Sequence, residues 1–102
     1  MGDEHKPVLL DEVIEALQIR ENGFYIDGTF GRGGHSRAIL QRLGTAGRLL
    51  AFDKDPAAIS YANEVFSQDE RFTIVQGSFA MLSQYLQQQA DNKADGLLLD
   101  LG

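Results

Sequence analysis

The chain has 102 residues, enough for a single domain, and its 43% hydrophobic share can supply a core. It has no cysteine, which excludes disulfide staples and thiolate metal sites, and its net charge of −6 argues against a main phosphate-gripping surface within these residues. No apolar run approaches the roughly 18 residues of a membrane helix.

The opening MGDEHK is acidic and has no apolar segment, so no secretory signal is expected; with the absence of cysteine this suits a reducing cytoplasm. Pro7 sets an extended entry. Leu10, Val13, Ile14 and Leu17 fall at helical spacing and predict a helix over 10–17, with Asp11 and Glu12 favourably placed in its first turn. Asn22-Gly23 is a turn signal.

Phe24 to His35 reads FYIDGTFGRGGH, an apolar run that meets an acid and then turns glycine-rich. This predicts a strand over 24–27, a tight turn, and a helix from Gly34 to about Leu43. The buried stripe of that helix is Ser36, Ile39, Leu40 and Leu43, with Gly44 as its C-terminal stop. A second strand is predicted over 48–53. Asp55-Pro56 then reads as an N-cap followed by a proline at the first helical position. Ala58, Ile59, Ala62, Val65 and Phe66 carry that helix to about residue 66.

A third strand is predicted over 72–76 and a helix over 79–89. Residues 90–93 form a polar loop, and a last strand runs over 96–100. Leu97, Leu98 and Leu99 form an unalternating apolar run, which suits a strand covered on both faces. The α-βα-βα-βα-β pattern predicts an α/β fold: about four parallel strands with flanking helices. A strand so apolar is expected in mid-sheet, and so the chain reads as the N-terminal part of a longer protein. Its bare Gly96–Asp100 edge is expected to invite pairing with another chain.

In open parallel sheets ligands bind beyond the carboxyl ends of the strands. Asp27, Asp53 and Asp100 each end a strand there, and Gly77-Ser78-Phe79 follows the third. Asp53 can accept both hydroxyls of a ribose; Asp55 fits the helix cap and leaves Asp53 free for this. The glycine run is not G-x-G-x-x-G, and no Gly-Lys-Ser/Thr follows, so the pattern suits a ligand without phosphates at the glycines. His35 opens the helix and either contacts a ligand or caps it. Phe79 either stacks on a base ring or packs in the core. Asp100 holds an amine or the cofactor, or is a structural acid. The histidines, His5 and His35, do not form a metal-ligand pair by spacing.

These residues resemble the bacterial 16S rRNA (cytosine-N4)-methyltransferases, the MraW family. The matching text is HKPVLLDEVIEAL from His5, YIDGTFGRGGHSRAIL from Tyr25, GRLLAFDKDPAAI from Gly47, RFTIVQGSFAML from Arg71 and DGLLLDLG from Asp95. The DGTFGRGGHS run is specific to that family. The resemblance implies the first half of a Rossmann-like class I S-adenosylmethionine-dependent methyltransferase sheet. It also implies methyl transfer to the N4 of a cytidine in small-subunit rRNA. Cofactor positions carry over as Gly33, Gly34, His35, Asp53, Phe79 and Asp100, with no metal. The family continues with the rest of that domain and an inserted helical domain that helps hold RNA, neither of which is in this chain, so these 102 residues are expected to be inactive alone. Leu101 and Gly102 stand where many amino-methyltransferases carry prolines, so Asp100 carries over as a cofactor contact and the proton acceptor is unassigned. The rival readings are a stand-alone cofactor-binding module without catalysis and a small-molecule methyltransferase.

Overall fold

A computed structural model describes residues 10–77, 79–88 and 94–98. In chain order the elements are α1 (Leu10–Leu17), β1 (Phe24–Asp27), α2 (Gly34–Arg42), β2 (Arg48–Asp53), α3 (Pro56–Val65), β3 (Phe72–Gln76), α4 (Phe79–Gln88) and β4 (Gly96–Leu98). The alternation expected from the sequence is present. Residues 99 and 100 of the last expected strand, and the polar loop over 90–93, lie outside the described residues.

The strands form one four-stranded sheet in the order β3-β2-β1-β4, and every pairing is parallel. The chain starts at β1, steps outward to β2 and β3, and returns to the other side of β1 as β4. The order therefore reverses beside β1, which makes the carboxyl end of β1 the crevice where open α/β sheets take ligands. Among the described residues β4 is a sheet edge, and Leu97 on it is exposed.

Strand alternation sorts the core by face. Tyr25 and Leu49 meet Ile14 of α1 and Ile39, Leu40 and Leu43 of the α2 segment. Ile26, Leu50 and Phe52 form a second cluster, joined by Phe24, Val75 and Ala94. A third gathers Phe30, Ala51, Ala58 and Ala62, with Phe66, Phe72 and Ile74 against it. Ala58 and Ala62 lie one turn apart on α3, and their small size leaves room for the Phe30 ring. Phe30 meets Phe66 edge-on at 5.9 Å and Phe72 at 5.8 Å. Of the repeat Ala58, Ile59, Ala62, Val65 and Phe66, Val65 is exposed while Phe66 packs beside Phe30 and Phe72.

The amino-terminal end of the sheet is fastened by polar clamps. Asp95 accepts from the Arg20 guanidinium at 2.6 Å and from the Phe24 N–H at 2.8 Å. The Arg20 N–H donates to the Tyr25 hydroxyl at 2.8 Å. Arg71, paired through two bonds with Asp69, donates to the carbonyls of Leu40 at 2.9 Å and Leu43 at 2.7 Å. The α2 helix stops just before Gly44, where the sequence expects it, but not through a left-handed glycine. Among the described glycines only Gly31 and Gly33 have positive φ, and the last carbonyls of α2 are satisfied by Arg71 rather than by a left-handed Gly44.

Candidate functional site

The carboxyl end of β1 delivers Asp27 into the molecule, where it is 1% exposed. Its Oδ1 accepts the Thr29 N–H at 3.1 Å and its Oδ2 the Ser36 hydroxyl at 2.8 Å. Desolvation pushes its carboxyl up to about 6; the Ser36 and Thr29 bonds and the charge of His35 oppose that rise, while Asp53 adds to it.

The glycine run after Asp27 is tied down along its length. The Gly28 N–H donates to the Leu98 carbonyl at 2.7 Å and the Phe30 N–H to the Phe52 carbonyl at 2.8 Å. Phe30 drops into the core at 2% exposed, so the loop carries its own apolar anchor. The chain then turns outward through Gly31 at φ 59° and re-enters through Gly33 at φ 85°, both in the left-handed region. At Gly33 a Cβ would also stand 2.9 Å from the Phe30 ring, so both backbone and packing require glycine there. Gly34 differs: an added Cβ would meet nothing within 4 Å. The fold has no use for glycine at that point, whereas a ligand lying against the backbone would.

Gly33 is the N-cap of α2 and makes no side-chain capping bond, so the first-turn N–H groups receive no oxygen from that position. His35, half-buried, follows in the first turn. Asp53 at the end of β2 closes the loop from the other side, its Oδ2 accepting the Gly31 N–H at 2.7 Å and its Oδ1 the Asp55 N–H at 2.9 Å. Asp55 caps α3 as expected, through the Ala57 N–H at 2.9 Å, with Pro56 next. Asp53 is therefore not idle. Each oxygen already accepts one backbone donor and retains capacity for a second.

A groove of about 580 Å³ opens beside this contact, lined by Gly31, Arg32, Asp53, Asp55, Ala57, Ala58 and Tyr61. Of the positions expected to hold a cofactor, Asp53 lines this groove; Gly33, Gly34 and His35 stand at the start of α2. The Gly77 N–H donates to the Asp53 carbonyl at 2.9 Å, so β3 ends beside β2 and Phe79 begins α4 at the same edge of the sheet. Asp100 lies outside the described residues. Among the described residues no group of His, Asp and Glu could hold a metal.

Sequence reasoning put Asp27 at this edge without giving it a role, and passed over Phe30 and Ser36 as parts of the site. One signal was available. Ser36 sits in a stripe with Ile39, Leu40 and Leu43, and a buried hydroxyl among apolar neighbours needs a partner.

A sequence model of the MraW methylase family matches residues 2–102. The ribosomal RNA small subunit methyltransferase H of Nitrosomonas europaea is 58% identical over 98 residues, covering 96% of this chain and 30% of that protein. The protein of the same name from Coxiella burnetii is 54% identical over 101 residues, covering 98% of this chain and 33% of its own. The chain thus spans about a third of the length of the curated relatives it matches. Among solved structures, a SAM-dependent O-methyltransferase of Thermotoga maritima superposes with a TM-score of 0.65 at 20% identity, covering 74% of this chain and 29% of that one. That likeness is one of fold alone: a Rossmann-like parallel sheet with flanking helices.

Proposed function

We propose, on the premise that the chain belongs to the MraW methylase family, that it carries the cofactor-holding part of an S-adenosylmethionine-dependent methyltransferase. The intact enzyme transfers a methyl group to the N4 of a cytidine in 16S rRNA. The single observation behind the cofactor reading is the glycine loop held between β1 and Asp53 at the switch point of a parallel sheet.

The residues present fit that cofactor. Gly34 leaves open space beside the backbone, and Asp53 keeps acceptor capacity for the ribose hydroxyls. Asp53, which lines the groove, offers a carboxylate that suits a cationic ligand. Gly33, Gly34 and His35 would line the amino-acid end, Phe79 would offer a ring to the base, and Asp100 would contact the cofactor from β4. S-adenosylmethionine, when bound, supplies a methyl group already activated on a sulfonium. What the chain's residues would contribute is orientation: the loop tied down between β1 and β2, with the Asp53 carboxylate, would hold the cofactor for alignment with the weakly nucleophilic cytosine amine, the main demand of the reaction.

The RNA is held by parts of the protein beyond these residues, a division of labour supported by the net charge of −6. These residues would be the N-terminal part of the cofactor domain, and the rRNA would meet the enzyme in the cytoplasm. No helix among the described residues is long and apolar enough to cross a membrane. The β4 edge, with Leu97 exposed, is where a further strand or a second copy would pair.

The deciding experiment presents the full-length protein with small ribosomal subunits lacking the mark, together with labelled S-adenosylmethionine. Label on a cytidine N4 of the 16S rRNA is expected. Methylation of small amines alone would overturn the substrate reading.

A further inference from the structure

We propose that Asp27 is a positioning residue for the cofactor loop, its carboxylate fastening Thr29 and Ser36 from beneath so that the backbone between them keeps the shape the ligand needs. The inference rests on the reading that S-adenosylmethionine lies on this loop.

The geometry carries it. The two residues that Asp27 holds bracket the loop: Thr29 stands at its start and Ser36 in the first turn of α2. Between them the chain makes both left-handed turns, at Gly31 and Gly33. Asp53 holds Gly31 from the opposite side, and Phe30 pins the middle into the core. A carboxylate accepts on both oxygens at once, as the Thr29 N–H and the Ser36 hydroxyl require; with an amide or a protonated acid one of the two atoms becomes a donor, and the Ser36 hydroxyl would have to turn round and accept. Ser36 is itself 0% exposed, so its hydroxyl has no solvent to turn to.

Turn closure alone does not require an ionised group in this place. Burial opposes the charge and pushes the carboxyl up to about 6, so the ionised form that does the fastening works against the fold's own stability. Perturbed acids of this kind concentrate where a ligand is handled. The charged groups felt by Asp27 are His35 of α2, which favours its ionised form, and Asp53 of β2, which disfavours it. The described part of β4, Gly96 to Leu98, offers no titratable side chain.

The test measures S-adenosylmethionine affinity by calorimetry, at pH 7.5 and pH 5.5, for the wild-type protein, Asp27→Asn and Ser36→Ala, with a thermal melt of each. At pH 7.5 Asp27→Asn should bind about tenfold more weakly while melting no lower than wild type, because the costly buried charge is gone. Ser36→Ala keeps the carboxylate and should lose several-fold. Wild-type affinity should fall on going to pH 5.5, and Asp27→Asn should lack that fall. Wild-type affinity in Asp27→Asn, or a loss that only tracks a lowered melting temperature, would overturn the proposal and leave the cofactor reading standing. Failure of the wild-type protein to bind at either pH would overturn both.

Discussion

Gly33 and Gly34 are neighbours with opposite reasons for being glycine, and alanine at each separates fold from ligand. At Gly33 the backbone has φ 85°, and an added Cβ would stand 2.9 Å from a Phe30 ring that is 2% exposed and has nowhere to swing. The left-handed conformation costs an L-residue about 1–2 kcal/mol, and forcing a methyl into a packed site costs roughly 1–3 kcal/mol more. At about 4–8 °C per kcal/mol for a domain of this size, Gly33→Ala should lower the melting temperature by about 10 °C or more. At Gly34 a Cβ meets nothing within 4 Å and the residue is helical. Replacing a helical glycine by alanine gains up to about 0.5–1 kcal/mol, less in the first turn, so Gly34→Ala should melt no lower than wild type. Its methyl would fill the space assigned to the cofactor, and S-adenosylmethionine should bind at least about tenfold more weakly, or about 1.4 kcal/mol. Melts followed by circular dichroism, with calorimetric titrations, read both quantities. A Gly33→Ala protein as stable as wild type would refute the account of the loop. Undiminished binding by Gly34→Ala would show that the cofactor does not approach there.

Asp53→Ala removes the acceptor for Gly31 and Asp55 together with the proposed ribose contact, and should weaken S-adenosylmethionine binding by about ten- to a hundredfold; unchanged affinity by calorimetry removes Asp53 from the site. Arg71→Ala removes the guanidinium donor from the Leu43 carbonyl and leaves the Leu40 carbonyl with the Leu43 N–H at 3.3 Å; it should cost about 1–3 kcal/mol in urea unfolding without a direct effect on ligand affinity, since Arg71 sits at the opposite end of the sheet. The carboxyl of Asp27 stands at about 6 in the fold against an ordinary 3.8, so its contribution to stability is present below pH 3.8 and lost as pH rises through 6, about 3 kcal/mol in all. Unfolding of Asp27→Asn across that window should therefore lack this decline, and identical pH profiles for the two proteins would contradict the burial account. The 102-residue chain by itself should methylate little or no RNA; robust turnover by the purified chain would mean that RNA is held by residues placed here outside that role.

Element order and nearly every boundary were legible in the sequence. Each is written in a few consecutive residues: a stripe at three and four in Leu10, Val13, Ile14 and Leu17, a cap and proline at Asp55-Pro56, an apolar run ending in Asp53. Such signals are local, and here the packed surroundings agree with them. The same holds for the placement of Asp27, Asp53 and Phe79 at one edge, because parallel strands joined by helices must end on the same side. Periodicity tells a residue which face it is on and not what it will meet there. The return of β4 to the side of β1, the descent of Phe30 beneath α3, the outward turn of Val65 and the use of Arg71 in place of a glycine stop all depend on partners distant in sequence. Asp27 shows the limit most clearly. In the sequence it is one more acid after a strand. Only folding takes it out of water, sets it on Thr29 and Ser36, and raises the energy of its charge, because desolvation is a property of the packed surroundings.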